Sequence, residues 1–186
     1  MTARTSPAAV RTVYFDIADT AFGPMLIAGE GRSVAAIRFR VDEAGAGDAV
    51  ASLRHETRGA FDFHREGSRV AEIVAQVRQY LAGERTEIDV DVDLGHVTDF
   101  RRNVLLETRA IPRGAIATYA EIARRAGRPR AFRAVGNTMR TNPIPIIIPC
   151  HRVIGTDGSL TGFAGDLDMK RRLLALEGVT IGVPKR

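Results

Sequence analysis

The alternation of apolar and polar residues divides the chain into two stretches of different character. Residues 10–19 (VRTVYFDIAD) and 23–32 (GPMLIAGEGR) are β-rich runs separated by a Thr-Ala-Phe-Gly-Pro turn, and residues 33–41 (SVAAIRFRV) follow directly. Three such runs in succession predict an antiparallel meander. Residues 68–82 place Val70, Ile73, Val74, Val77, Tyr80 and Leu81 on one stripe of a helix that Gly83 ends. Residues 87–94 (EIDVDVDL) alternate strictly, as an edge strand or an extended linker does. Beyond residue 97 the pattern turns helical. Thr98 or Asp99 caps a helix to about Ala110, which Ile111-Pro112 and Gly114 terminate. Thr118 caps a short helix over 119–126 that stops at Gly127, and another runs from about Arg130 to Arg140. Two short helices about a tight glycine-containing turn form a helix-turn-helix pattern, which plain helical packing also produces. The last helix is expected over 167–177. The expected fold is therefore α/β. A small N-terminal domain of antiparallel sheet plus helix spans 10–93, and a mostly helical C-terminal domain with the helix-turn-helix spans 98–186.

Composition changes this picture little. The 186 residues suffice for one large domain or two small ones, and 45% hydrophobic with 26% charged residues is ordinary for a globular protein. No apolar run approaches the roughly 20 residues of a membrane span. Residues 1–9 (MTARTSPAA) lack the apolar centre of a secretory signal and read as a flexible tail. A single cysteine excludes an internal disulfide, and a cytoplasmic protein is expected.

Charge changes it more. Residues 1–97 carry 11 basic and 15 acidic side chains, whereas residues 98–186 carry 16 and 7. A basic half beside an acidic one fits a polyanion-binding surface confined to one domain. A GC-rich genome explains the preference for arginine over lysine but not this asymmetry.

The chemistry concentrates in residues 142–155, NPIPIIIPCHRVIG. Three prolines and the run Ile146-Ile147-Ile148 make a stiff, buried approach that is not helical, and it delivers Cys150 followed by His151 and Arg152. A thiol is a useful nucleophile only as thiolate, and its ordinary pKa of about 8.5 leaves little of that form at neutral pH. An adjacent imidazole can take the proton, and nearby cations favour the anion. A buried, inert cysteine beside a surface histidine is the plain alternative for a bare Cys-His pair. Metal binding has no support in the spacing of His55, His64, His96, His151 and the one cysteine.

Pro149-Cys150-His151-Arg152-Val153, preceded by Asn142-Pro143 and the isoleucine run, resembles the active-site signature of the O6-alkylguanine-DNA alkyltransferases, the methylated-DNA–protein-cysteine methyltransferases. Ile111-Pro112-x-Gly114, Thr118 to Ala123 (TYAEIA), Arg133 to Gly136 (RAVG), Leu173-Leu174 and Glu177-Gly178 follow in the family's order. The resemblance is strong over 98–178 and weak over 10–41. It implies that Cys150 takes the alkyl group from a flipped-out guanine, that His151 acts as base, and that Glu177 holds the imidazole. Asn142 would stabilise the turn carrying the active-site loop, and Tyr119 would crowd the target phosphate and donate toward the departing guanine. Arg133 would fill the gap left in the base stack, with Phe132, Arg130, Ala134, Gly136 and Arg140 beside it on the DNA. Tyr119, Val153, Phe163, Ala164 and Gly165 would line the lesion pocket. No cofactor and no metal are implied. The implied partner is double-stranded DNA, entered through the minor groove by a monomer without an obligate protein partner. Such binding is led by phosphate and shape and weakens steeply with salt.

The sequence departs from the family at four places. Phe163 keeps an aromatic wall but lacks the hydroxyl of the usual tyrosine. Asp166 replaces a glycine, and the preferred reading is a cap for the last helix rather than a charge beside DNA. Phe132 precedes the arginine finger where smaller residues are usual, to wedge into the groove or to pack inward. A tryptophan common in the first helix of the C-terminal domain is absent, with Leu105 or Leu106 in its place. Zinc, held by cysteines and histidines in some members, has no second cysteine here. A damage-recognition protein without transfer, and an acceptor of alkyl groups from small molecules, are the competing functions.

Overall fold

The computed structural model describes residues 10–180, so the tail expected over 1–9 and the last six residues, 181–186, lie outside the described residues. Strands β1 (Arg11–Thr20), β2 (Gly23–Glu30) and β3 (Ser33–Phe39) form the expected antiparallel meander. The complete sheet is mixed, which corrects the antiparallel expectation. Strand β4 (Phe61–Arg65) lies parallel to β1 and β5 (Asp91–Val92) lies parallel to β3, giving the order β4-β1-β2-β3-β5. A parallel neighbour needs a crossover. Helix α1 (Ala46–Glu56) supplies one between β3 and β4, and it buries only Ala46, Val50 and Leu53, too thin a stripe to stand out in the sequence. Of the alternating residues 87–94, Asp91 and Val92 form β5, and Asp93 N donates to the Val34 carbonyl of β3 at 2.7 Å.

The strands bury both faces. Val13, Phe15, Leu26, Phe61 and Phe63 form one face with Val50 and Leu53 of α1. Ala18, Met25, Ile27 and Ile37 form the other with helix α2 (Ala71–Leu81) and the second half of the chain. All six residues of the predicted α2 stripe are buried. This second core is continuous. It includes Leu105, Ile122, Val135, Met139, Ile148, Cys150 and Leu173, so the sheet is the floor on which the later helices rest.

Helix α3 (Asp99–Arg109) starts after Thr98, whose side chain makes no capping bond. Leu105 is fully buried and Leu106 is 44% exposed, so Leu105 takes the core position. Short strands β6 (Ala117–Thr118) and β7 (Val153–Ile154) pair in parallel and bring the start of helix α4 (Tyr119–Arg125) beside the cysteine segment. Thr118 and Glu121 form a reciprocal capping box at that start. Helix α5 (Phe132–Arg140) begins two residues later than expected. The Ala131 N–H closes a turn onto the Arg128 carbonyl at 2.9 Å, so Arg130 lies in the turn and not on the helix. Asp166 caps helix α6 (Leu167–Leu176) by accepting from Met169 N at 2.7 Å. No helix among the described residues is long and apolar enough to cross a membrane.

Candidate active site

The approach to Cys150 is held from within and from the sheet. Asn142 staples it: Nδ2 donates to the Ile148 carbonyl at 2.8 Å, and Oδ1 accepts from Ile144 N at 3.0 Å. Between these anchors Ile146 adopts φ 75°, a region that β-branched residues rarely enter. From the sheet, Ile37 N donates to the Pro143 carbonyl at 2.9 Å, and Arg38 Nη1 donates to the same oxygen at 3.2 Å. Arg38 is in turn paired with Glu56 of α1 at 2.5 Å. The segment is buried and non-helical as expected until a single 3-10 turn at Cys150–Arg152, which leads into β7.

That turn sends consecutive side chains to different partners. Cys150 and His151 are both fully buried. His151 Nε2 donates to Glu177 Oε1 at 2.6 Å, which leaves Nδ1 buried with no hydrogen-bond partner among the described residues. Arg152 Nε donates to Glu177 Oε2 at 2.8 Å and Nη2 to Oε1 at 3.0 Å, while Nη1 meets the Ile111 carbonyl. The Tyr80 hydroxyl donates to the same carboxylate. Glu177 is therefore the hub of a buried cluster of four side chains, two of them, Tyr80 and Arg152, not assigned from sequence. Tyr80 was legible as part of an apolar stripe, but nothing in that stripe reveals where its hydroxyl goes.

Electrostatics follows from this geometry. Burial alone would raise the Glu177 carboxyl, but hydrogen bonds from His151, Arg152 and Tyr80 hold it well below the usual carboxylate range. Burial lowers the His151 imidazole against the pull of Glu177, so it is a neutral base at neutral pH. Burial and Glu177 push the Tyr80 phenol up to about 12, so it stays a donor. The thiol departs from the sequence expectation: burial pushes Cys150 up. Hydrogen bonds from Asn142 and the Ala164 backbone, and the Lys170 cation, oppose that rise.

Lys170 is the residue most clearly missed. It is fully buried, and Nζ donates to the Val153 carbonyl at 2.6 Å and the Thr161 carbonyl at 2.9 Å. Burial brings its ammonium down to about 8. Its signal lay in the helical period, since Lys170 shares the buried stripe of α6 with Met169, Leu173 and Leu174 while Arg171 and Arg172 are exposed.

The loop after β7 closes against these groups. The Tyr119 hydroxyl donates to the Thr161 carbonyl, and Phe163 is buried. Val153, also assigned to the pocket, is fully buried in β7 and offers its carbonyl to Lys170. Gly162 has φ 58°, and a Cβ there would stand 2.7 Å from the Tyr119 hydroxyl and 3.2 Å from the Gly136 carbonyl. Gly158 has φ 79° but open space. Gly162→Ala should therefore lose between about 1 and 3 kcal/mol in urea denaturation, and clearly more than Gly158→Ala. Equal losses in the two variants would mean that the close approach is relieved at no cost.

The helix-turn-helix residues reach the surface. Phe132, Arg133, Ala134 and Arg140 of α5 are exposed, as is Arg130 in the preceding turn. Phe132 is 48% exposed and so does not pack inward, and the Arg133 guanidinium lies 5.9 Å from the centre of its ring. The Gly136 carbonyl of α5 faces Gly162 of the pocket loop, 3.2 Å from where a Cβ would stand. The structure thus brings Cys150, His151, Glu177 and Asn142 into one buried cluster, puts Tyr119 at its rim, and leaves the arginines on a separate exposed face. Among the described residues there is no group of three or more His, Cys, Asp or Glu side chains placed to hold a metal ion.

Two family models match nearly all of this architecture. One, described as the ribonuclease-like domain of 6-O-methylguanine DNA methyltransferase, covers residues 13–94, and its DNA binding domain covers residues 99–179. A methylated-DNA–protein-cysteine methyltransferase of Methanosarcina acetivorans is 39% identical over 166 residues, 89% of this chain and 99% of its own. The crystal structure of Mycobacterium tuberculosis O6-methylguanine methyltransferase superposes with a TM-score of 0.72 at 38% identity, covering 89% of this chain and 92% of that one. The M. tuberculosis protein in complex with DNA gives a TM-score of 0.74 at 36% identity, over 89% and 93% of the two chains. This chain belongs to the 6-O-methylguanine DNA methyltransferase family.

Proposed function

We propose that the protein repairs alkylated DNA directly, moving the alkyl group of O6-alkylguanine in a duplex onto Cys150. The observation that carries this reading is a water-excluded thiol beside a histidine held by Glu177, with its other ring nitrogen unpartnered. The thiol proton passes to His151 Nδ1, directly or through a water, and Glu177 stabilises the imidazolium that forms. The sulfur attacks the alkyl carbon in line, an S–C bond forms, and the bond from that carbon to guanine O6 breaks. A proton returns to the base from the Tyr119 side, leaving unmodified guanine. The thioether is not hydrolysed, so each molecule acts once and needs no cofactor. O4-alkylthymine belongs to the same chemistry.

The target base must leave the stack, at a cost of a few kcal/mol that Arg133 offsets by filling the gap. Exposed Phe132, Arg133 and Ala134 at the start of α5, with Arg130 and Arg140 flanking them, suit the minor groove, and the M. tuberculosis relative was solved with DNA bound. On this reading residues 10–93 are a scaffold domain, and residues from 98 onward form the DNA-binding and transfer domain. The protein works as a monomer in the cytoplasm.

The test is incubation with a duplex carrying one O6-methylguanine, followed by peptide mass spectrometry. One methyl group per protein on the peptide containing Cys150, absent from Cys150→Ser, is the expected result. Binding of lesion DNA without methyl transfer would reassign the protein to damage recognition. Transfer from a free methylated nucleobase, undiminished by competing unmodified duplex, would favour a small-molecule substrate.

A further inference from the structure

Loop 161–166 is fastened to both halves of the molecule. On the C-terminal side, Tyr119 and Lys170 hold the Thr161 carbonyl, and Phe163 is buried in the same core as Cys150. On the sheet side, two consecutive residues at the end of β3 grip it. The ring of Phe39 meets that of Phe163 with centroids 5.8 Å apart and planes tilted by 39°. Arg40, in the left-handed region at φ 57°, pairs with Asp166, which also caps α6. Phe163 has no slack between these supports. A Cβ on Gly165 would lie 2.7 Å from the Phe163 ring and 3.2 Å from the Phe39 ring. Phe39 also lines a cleft of about 200 Å³ with Ala164 of the loop and with Asn142, which staples the approach to Cys150.

We propose that Phe39, positioned with Arg40 by the end of β3, holds the aromatic wall of the lesion pocket in place and thereby sets how large an O6 substituent reaches Cys150. The inference rests on the alkyl-transfer reading. It gives the sheet half of the molecule a part in substrate choice: methyl fits against a fixed Phe163, whereas an arylmethyl group such as benzyl requires Phe163 to retract, and Phe39 blocks that retraction. Phe39 and Arg40 touch neither thiol nor imidazole, so they act as positioning residues.

The test measures single-turnover rate constants on two duplexes, one with O6-methylguanine and one with O6-benzylguanine. Phe39→Ala should raise the benzyl-to-methyl ratio about tenfold, the scale on which an apolar pocket discriminates a changed contact. Phe39→Tyr, which keeps the ring, should restore the wild-type ratio. A merely structural Phe39 would lower both rates together and leave the ratio unchanged, which overturns the proposal. If Phe39→Ala does not fold, Asp166→Asn decides, because asparagine still caps α6 while losing the charge that Arg40 pairs with. A ratio unmoved in that variant also overturns the proposal. Absence of transfer by the wild-type protein from either duplex overturns the alkyl-transfer reading itself, and this inference with it.

Discussion

Glu177→Gln should cost about 3–5 kcal/mol of unfolding free energy, the range for breaking a buried ion pair on one side. The glutamine keeps the shape of the carboxylate and removes its charge, leaving the Arg152 guanidinium largely buried without a counterion. The carboxylate receives four hydrogen bonds, from His151, Tyr80 and two nitrogens of Arg152, and a neutral amide cannot accept all of them. Urea denaturation at neutral pH measures the loss, and a change below about 1 kcal/mol, the scale of a surface pair, would refute the hub. The pH dependence has a definite sign. The folded carboxyl lies below its ordinary value of 4.5, so the stability it confers is complete above that value and is lost as pH falls through the lower folded value. The difference between wild type and variant should therefore shrink on acidification. Alkyl transfer should fall as well, because His151 loses the charge that stabilises its protonated form.

Lys170→Met should slow alkyl transfer about a hundredfold, close to 2.7 kcal/mol of barrier, the scale of losing one preorganised charge at a reacting centre. Methionine matches the length and apolar stem of lysine, so the substitution chiefly removes the cation that opposes the burial of the Cys150 thiolate. It also removes the Lys170 donor from the Val153 carbonyl, while the Thr161 carbonyl keeps the Tyr119 hydroxyl, at a further cost of roughly 1–3 kcal/mol in stability. The pH profile separates the two effects. With the ammonium at about 8, the wild-type rate should decline above that pH as the cation is lost. The variant should lack this alkaline limb while remaining folded by circular dichroism. A variant that keeps the limb would show that another group produces it.

The cysteine segment, the cap at Thr118, the α2 stripe and the Asp166 cap were legible because each is a local pattern. A capping residue lies three positions from the amide it satisfies, and a buried stripe repeats with the helical period. The roles of His151 and Glu177 came from family resemblance, since nothing local to Glu177 distinguishes it from a surface carboxylate at a helix end. Helix α5 starts later than the sequence predicts because Arg130 suits a helix by composition, whereas the turn closed between Arg128 and Ala131 delays the helix start.

Long-range partners were invisible to sequence. The parallel placement of β4 beside β1 depends on a crossover whose helix carries too few apolar residues to announce itself. Tyr80 and Glu177 stand 97 residues apart, and Phe39 and Phe163 are likewise distant in the chain, so no period or spacing relates them. The chain order alone specified a stiff, apolar delivery of one nucleophile and the helices around it, because side-chain periodicity and backbone restriction act over a few residues. Folding decided which of the many charged residues share a water-free volume. That choice sets the electrostatics: burial raised the Cys150 thiol against the expectation from its neighbours, and the cation opposing that rise, Lys170, comes from a helix twenty residues further along.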